Sequence, residues 1–414
     1  MKNIFTSIDI GSDNIKVVTC ELYNNKLNLL AASSMKSKGV KLGMIVNPQE
    51  ASLSIRRCLD EVESQLGIQI KKVLATVPSN FAEFEFIKGN VELTNETGIV
   101  SGSDIALVMQ NAMEEKITPD KEMITIIPIN FKVNDEEIVS NPIGMKARSL
   151  QTRAIMATTP KKNVYSVLSV LEDVGVQVID IMLNGIGDIN SLKNMRTDNK
   201  IGAIINIGAE TMNVALFNKN VIVKNSTIGI GSKEVDKVIS STYKIELQEA
   251  RKIKEKFAYA HKKKASVDTF YDVTNIYNED IKINQYDVSE LCMNKLEELI
   301  DLGVKETRML SGRDLDYIIF TGGITMMSHF DYLIKNFIGE TAEVGQVKII
   351  GVRNNMFSSS VGNIIYFINK LKLKGKNYSM VSSSDMEDLS SRKSGATIAS
   401  DSMLGKLADY FFGE

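Results

Sequence analysis

Residues 7–17 read SIDIGSDNIKV, and residues 204–214 read IINIGAETMNV. Superposed, both carry Ile, then Asp or Asn, then Ile-Gly, a small residue, an acid, an apolar residue two places on and a closing Val. Each is an apolar strand that enters a glycine turn and returns as a second strand. Two such hairpins, each opening an α/β stretch, constrain the chain to a duplicated core with a cleft between its halves. Any buried hairpin can carry such a pattern, so the echo alone leaves open whether the turns hold a phosphate or serve only the core.

The flanking texture supports an α/β class. IFTSIDIG, IKVVTCELYNNKLNLLAASS with a turn at Asn24-Asn25, and KKVLATVP read as strands. Between them NPQEASLSIRRCLDEVESQLG reads as a helix opened by Asn47-Pro48 and stopped by Gly67, with Leu53, Ile55, Leu59, Val62 and Leu66 as its apolar stripe. These elements place a first lobe at 1–80, continued at 159–190 and about 352–371, with a smaller α+β unit inserted at 81–158. A second lobe core follows at 191–230 and 312–351, interrupted by a helical, lysine-rich subdomain at 231–311. Residues 372–401 are polar, serine-rich and without periodicity, which predicts a disordered linker. The last segment, 402–414, places Met403, Leu404, Leu407, Tyr410, Phe411 and Phe412 on one half of a helical wheel. That is an amphipathic helix on a tether, suited to a membrane surface or to a protein groove.

Composition narrows the partners. A net charge of −2 gives no global attraction to nucleic acid, and the HKKKA run at 261–265 reads as a solvated helix end, so no nucleic-acid partner is expected. Cys20, Cys58 and Cys292 lie far apart and only His261 and His329 exist, which argues against a zinc site or a disulfide framework. The N-terminal apolar run is broken by Asp9, reading as a strand rather than a signal peptide, and no apolar run approaches the ~20 residues of a membrane span.

The turns have a chemistry. Gly11 leaves backbone N–H groups open to phosphate oxygens, Ser12 adds a hydroxyl, Asp13 follows in the turn and Lys16 brings a positive charge. Asp9, at the strand end, is placed to hold Mg2+ through water. FTGGIT at 320–325 adds a third strand–glycine turn, where Gly322, Gly323 and Ile324 allow a flat base to approach the backbone.

Three such elements in this order resemble the superfamily of actin, sugar kinases and heat-shock chaperones, whose lobes clasp ATP and Mg2+ between two phosphate hairpins and an adenosine loop. Within it the details are similar to FtsA, the actin-related bacterial cell-division family. GIGSKEVDKVISSTYKIELQEARKIKEKFA follows the second hairpin as in that family, with Glu249 and Lys252 matching its nucleoside-facing Glu and Lys and Gly231 in the preceding turn. SNPIGMKARSL at 140–150 resembles the family's NPxGM segment, and the linker with its terminal helix matches as well. The resemblance spans nearly the whole chain. It implies an actin-like two-lobed fold, ATP binding, self-polymerisation, and anchoring of FtsZ, through its C-terminal peptide on residues 231–311, to lipids at the cytoplasmic face of the division site.

The sequence departs from the family at the second hairpin, usually close to D-I-G-G-G-T-x-D. Here it runs Asn206-Ile207-Gly208-Ala209-Glu210-Thr211-Met212-Asn213, with both carboxylates replaced by amides. An amide is a poorer partner for magnesium-bound water and cannot accept a proton. Glu210 brings a carboxylate toward the phosphates unless its side chain turns away or shares the ion. These changes leave nucleotide binding in place and weaken hydrolysis, although Asn206 can also be read as a neutral replacement in an active ATPase. A small-molecule kinase of the same superfamily would need a carboxylate base near its acceptor. A PilM-like pilus scaffold would not need the terminal helix.

Overall fold

The computed structural model describes residues 3–94, 97–113, 117–349, 351–352, 354–382, 385–386 and 389. The chain opens with β1 (Asn3–Ile10), β2 (Asn14–Tyr23) and β3 (Lys26–Lys36), an antiparallel meander turned at Asn24-Asn25, both at positive φ. Two short strands, β4 (Val40–Lys41) and β5 (Met44–Ile45), precede α1 (Pro48–Leu66). The start and stop of α1 follow its sequence: Asn47 accepts a hydrogen bond from the Glu50 N–H, and Gly67 ends the helix at φ +74°. Its stripe is Ile55, Leu59, Val62 and Leu66 with Ala51 and Cys58, whereas Leu53 lies on the opposite side and is exposed. At 100° per residue position 53 is more than a third of a turn from that stripe, so Leu53 is not part of it. After β6 (Lys72–Val77) the chain leaves the lobe.

The excursion is β7 (Glu83–Glu92), α2 (Gly102–Met113), β8 (Lys121–Val133), β9 (Glu137–Val139) and β10 (Ser149–Pro160), with α2 packed against a sheet of order β7-β10-β8-β9. The chain returns through α3 (Lys161–Asp173) and β11 (Gln177–Leu183), which completes the first five-stranded sheet, β11-β6-β1-β2-β3. Then α4 (Asn184–Leu192) crosses to the second lobe.

The second sheet repeats the plan: β12 (Ile201–Ile207), β13 (Met212–Asn218) and β14 (Val221–Ile228) form an antiparallel meander. Helices α5 (Lys233–Tyr243) and α6 (Leu247–Lys256) follow, then β15 (Phe270–Thr274), β16 (Asp280–Asn284) and the long α7 (Gln285–Ser311). The β15–β16 hairpin was not expected in a subdomain read as helical. β17 (Tyr317–Thr321), α8 (Phe330–Phe337) and β18 (Ala342–Val344) close the sheet in the order β14-β13-β12-β17-β18. One apolar core fills the first lobe and continues onto one face of the second sheet through Ile204, Phe217 and Ile319, and a second core fills that sheet's other face.

Last comes α9 (Ser358–Leu373), which packs across α4 where the lobes meet. The crossing is as close as backbones allow: a Cβ at Gly362 would stand 1.6 Å from the Gly187 carbonyl oxygen, so only glycine fits. Beyond α9 the first part of the segment read as a linker packs on the first lobe. Met380 is buried, its N–H donates to the Ile4 carbonyl at 2.9 Å, and Ser379 accepts from the Ile4 N–H at 3.2 Å. An apolar side chain and paired backbone therefore extend the lobe past its last helix. The segment 402–414, with its six apolar positions, lies outside the described residues. No helix among the described residues is long and apolar enough to cross a membrane.

Candidate functional site: a cleft between two hairpins

The echo in the sequence is an echo in hydrogen bonds. In the first hairpin Asp9 faces Lys16 across the register and Gly11 N–H donates to the Asn14 carbonyl at 3.1 Å. In the second Asn206 faces Asn213 and Gly208 N–H donates to the Thr211 carbonyl at 2.9 Å. The third element, after β17, turns at Gly322 with φ +99°; a Cβ there would stand 2.4 Å from the Ile207 carbonyl oxygen, so side chain and backbone demands both select glycine. The three turns converge on one cleft of about 520 Å³.

Asp9, Gly11, Ser12, Asp13, Lys16, Asn206, Gly208, Ala209, Thr211, Gly322, Gly323 and Ile324 all line this cleft. Gly231 stands behind it: a Cβ at that position would meet the Gly208 carbonyl oxygen at 2.5 Å. Glu210 is not among the residues lining the cleft. Its side chain turns outward, accepting from Lys233 Nζ at 2.6 Å and from the Leu42 N–H of the β4–β5 turn at 2.8 Å. Its fixed conformation thus ties the second hairpin to the first lobe.

The expectation for α6 needs correction. Lys252 is mostly exposed and pairs at 2.6 Å with Glu249, which also accepts from the Tyr271 hydroxyl at 2.7 Å. Arg251, Lys254 and Glu255 line the cleft instead. Positions 251, 254 and 255 share the face turned to the cleft, whereas 252 lies a quarter turn or more round the helix and 249 on its far side. The run EARKIKEK places charged residues three apart in more than one phase, and only the buried Ala250 and Ile253 identify the packed side.

The electrostatics are those of a polar, part-buried wall. Lys16 Nζ lies 2.6 Å from Asp9 Oδ2, both largely buried. Arg251 reaches across the cleft to Asp13 at 2.6 Å, which Lys36 also contacts at 2.7 Å. Burial alone would raise the Asp13 carboxyl, but the Lys36 hydrogen bond and the Arg251 charge hold it below the usual aspartate value. Lys254 and Asp236 form a buried pair at 2.6 Å, and burial pushes the Asp236 carboxyl up against the pull of that lysine. Ser12 Oγ accepts from the Gly43 N–H at 2.7 Å, leaving its own proton to donate.

One turn of α4 touches both hairpins. Asn184 reaches Asp9 Oδ1 at 3.5 Å, and one helical turn later Asp188 accepts from Asn206 Nδ2 at 2.7 Å. Asp188 is fully buried, and its other oxygen accepts from Ser358 Oγ at 2.7 Å and Ser359 Oγ at 2.8 Å on α9. Burial pushes this carboxyl up, opposed by the three donors and reinforced by the charge of Asp9. Local sequence gave no signal for Asp188, because its partners lie on three separated segments.

Two sheets of one plan, a close-packed helix crossing between them and three glycine turns around one cleft define an actin-like α/β protein. Solved structures agree in fold: the PilM-PilN type IV pilus biogenesis complex superposes with TM-score 0.57 at 14% identity over 89% of this chain and 98% of that one. MreB5 of Spiroplasma citri bound to ADP superposes with TM-score 0.51 at 11% identity over 90% and 98%. The family models are narrower. "Cell division protein FtsA" matches residues 203–362, and "SHS2 domain inserted in FTSA" matches residues 83–158, the excursion that carries β7 to β10. FtsA of Bacillus subtilis is 24% identical over 90% of this chain and 85% of its own, and that of Streptococcus pneumoniae 27% over 86% and 78%. The chain belongs to the FtsA family of cell-division proteins.

Proposed function

We propose that this protein is a nucleotide-gated scaffold that binds ATP with Mg2+ in the cleft, polymerises, and anchors FtsZ filaments to the cytoplasmic membrane through its C-terminal helix. The carrying observation is the convergence of both Gly-turn hairpins and the Gly322 turn on one cleft with a lysine, Lys16, at its wall. In this reading the hairpin N–H groups and Lys16 hold phosphates, and Arg251 and Lys254 stand on the nucleoside side. Among the described residues no cluster of three or more acidic, His or Cys side chains could cage a metal. Mg2+ commonly keeps several waters and takes one protein carboxylate plus phosphate oxygens, and Asp9 suits that role, since its Oδ1 has only the long Asn184 contact. The metal when bound supplies charge neutralisation between phosphates. The second hairpin presents only the amides of Asn206 and Asn213 and the hydroxyl of Thr211. With no carboxylate there to orient an attacking water, hydrolysis is slow or absent.

The tail reading rests on sequence. Half-burying six apolar side chains yields about 6 to 9 kcal/mol, close to the cost of ordering about a dozen residues at roughly 1 kcal/mol each. A single tail is near break-even, and a polymer carrying many tails binds firmly. That links assembly to membrane attachment. Co-sedimentation with liposomes under Mg·ATP, comparing the full chain with one ended at Ser400, tests it: the full chain pellets and the shortened one does not. Equal pelleting overturns the membrane role and leaves the helix as a protein-docking element.

A further inference from the structure

The amide at position 206 and the carboxylate at position 188 form a matched pair, and the match has a direction. Asn206 turns its NH2 group toward Asp188 Oδ2 at 2.7 Å, and with Ser358 and Ser359 donating to Oδ1 both carboxyl oxygens act as acceptors. The Asn206 oxygen is thereby left facing the cleft wall, where a Cβ on Gly322 would come within 2.8 Å of it. No donor to that oxygen is found among the described residues.

We propose that Asp188 is the positioning residue of the second hairpin: it fixes Asn206 with its carbonyl oxygen at the cleft wall beside Gly322 and places, one layer deeper, the carboxylate that this wall lacks. The inference rests on the Mg·ATP reading of the cleft. The pair then acts as a displaced aspartate, with an oxygen at the wall polarised by a carboxylate behind it. Such a wall oxygen can accept from magnesium-bound water, though it cannot take a proton.

The hydrogen bonds make a sharp prediction about substitution. Asn206→Asp alone sets two carboxylates in contact in a buried site, where both cannot stay ionised. Asp188→Asn alone opposes two NH2 groups, relieved when Asn206 flips and turns a donor into the cleft. The swapped pair, Asn206→Asp with Asp188→Asn, keeps every bond. Ser358 and Ser359 both donate to Asp188 Oδ1, which the new amide oxygen replaces, while its nitrogen takes the place of Oδ2 and donates to the carboxylate now at position 206.

The test uses the full chain in four forms: wild type, both single variants and the swap. Titration calorimetry with ATP, in Mg2+ and in EDTA, gives the factor by which the metal tightens binding, and thermal unfolding gives the coupling between the two positions. The expected result is that Asp188→Asn lowers the magnesium factor about tenfold, the size of one charge-assisted hydrogen bond. The swap should restore or exceed the wild-type factor, and melting should fall in each single variant and recover in the swap. If a single variant does not fold, recovery of folding by the swap supports the pairing and its absence overturns it. Additive melting shifts, or an unchanged magnesium factor in Asp188→Asn, overturn this inference while leaving ATP binding intact. Wild type without ATP binding overturns the nucleotide reading itself, and with it this role for Asp188.

Discussion

The two hairpins share a backbone and differ in where they keep their charge. Each closes with a glycine N–H donated to the carbonyl three residues on. At the first, a carboxylate and its cation, Asp9 and Lys16, stand together at the cleft wall. At the second, an amide stands at the wall and the carboxylate has retreated into α4, held by donors from α9. Turn geometry is thus a backbone property common to both hairpins, whereas the charge at the turn comes from the hairpin's own strands in the first and from α4 in the second. A cleft can keep its shape for a nucleotide while giving up the group that would help cleave it.

The contrast is broken most severely at the first hairpin. Lys16→Met leaves Asp9 buried beside no cation, which costs about 3 kcal/mol or more. In the proposed reading it also removes the positive charge offered to the phosphates, so calorimetry should show ATP affinity falling by roughly a hundredfold, two hydrogen bonds to charged groups. An unchanged affinity would mean that the first hairpin holds no phosphate.

A smaller effect is expected at Glu210, the second hairpin's tie to the first lobe. Its pair with Lys233 is part-exposed, so screening limits Glu210→Ala to about 0.5 to 1 kcal/mol in thermal unfolding, shrinking as salt is raised. A large, salt-independent loss would show that the Leu42 N–H contact carries the tie.

The cross-cleft contacts also titrate. Burial tends to raise the Glu210 carboxyl, but the Lys233 and Leu42 bonds hold it below its ordinary value, and Asp13 is likewise lowered against burial by Lys36 and Arg251. Groups lowered in the folded state contribute stability that is fully present above their unfolded pKa values and lost as pH falls through the lower folded ones. The lobes should therefore stay tied at neutral pH and loosen only below about pH 4. Small-angle scattering across that range would register the opening, and opening already at pH 6 would contradict this assignment.

The smallest effect is a designed silence. Lys252→Ala should leave ATP affinity unchanged, since its side chain points to solvent, whereas Arg251→Ala should weaken it. The reverse result would restore the phase of α6 first read from the sequence.

The face of α6 turned to the cleft is set by packing rather than by local pattern. The fold was legible because its signals are local: the repeated Ile-Gly turns, Asn47 and Gly67 at the ends of α1, the glycines after β17. The inward face of α6 was not, because a short helix rich in charge offers competing amphipathic phases. Asp188 was invisible for a related reason. Its role is defined by Asn206, Ser358 and Ser359, and no spacing within α4 announces partners that far away in the chain. The packing of Met380 on β1 escaped notice because one apolar side chain in a serine-rich run carries no periodicity.

In the proposed reading this cleft holds a nucleotide without hydrolysing it rapidly. Phosphate release measured on the protein saturated with Mg·ATP tests that most directly. The expected result is stoichiometric binding with release slower than exchange of the bound nucleotide; rapid release over many turnovers by the wild type would overturn that reading.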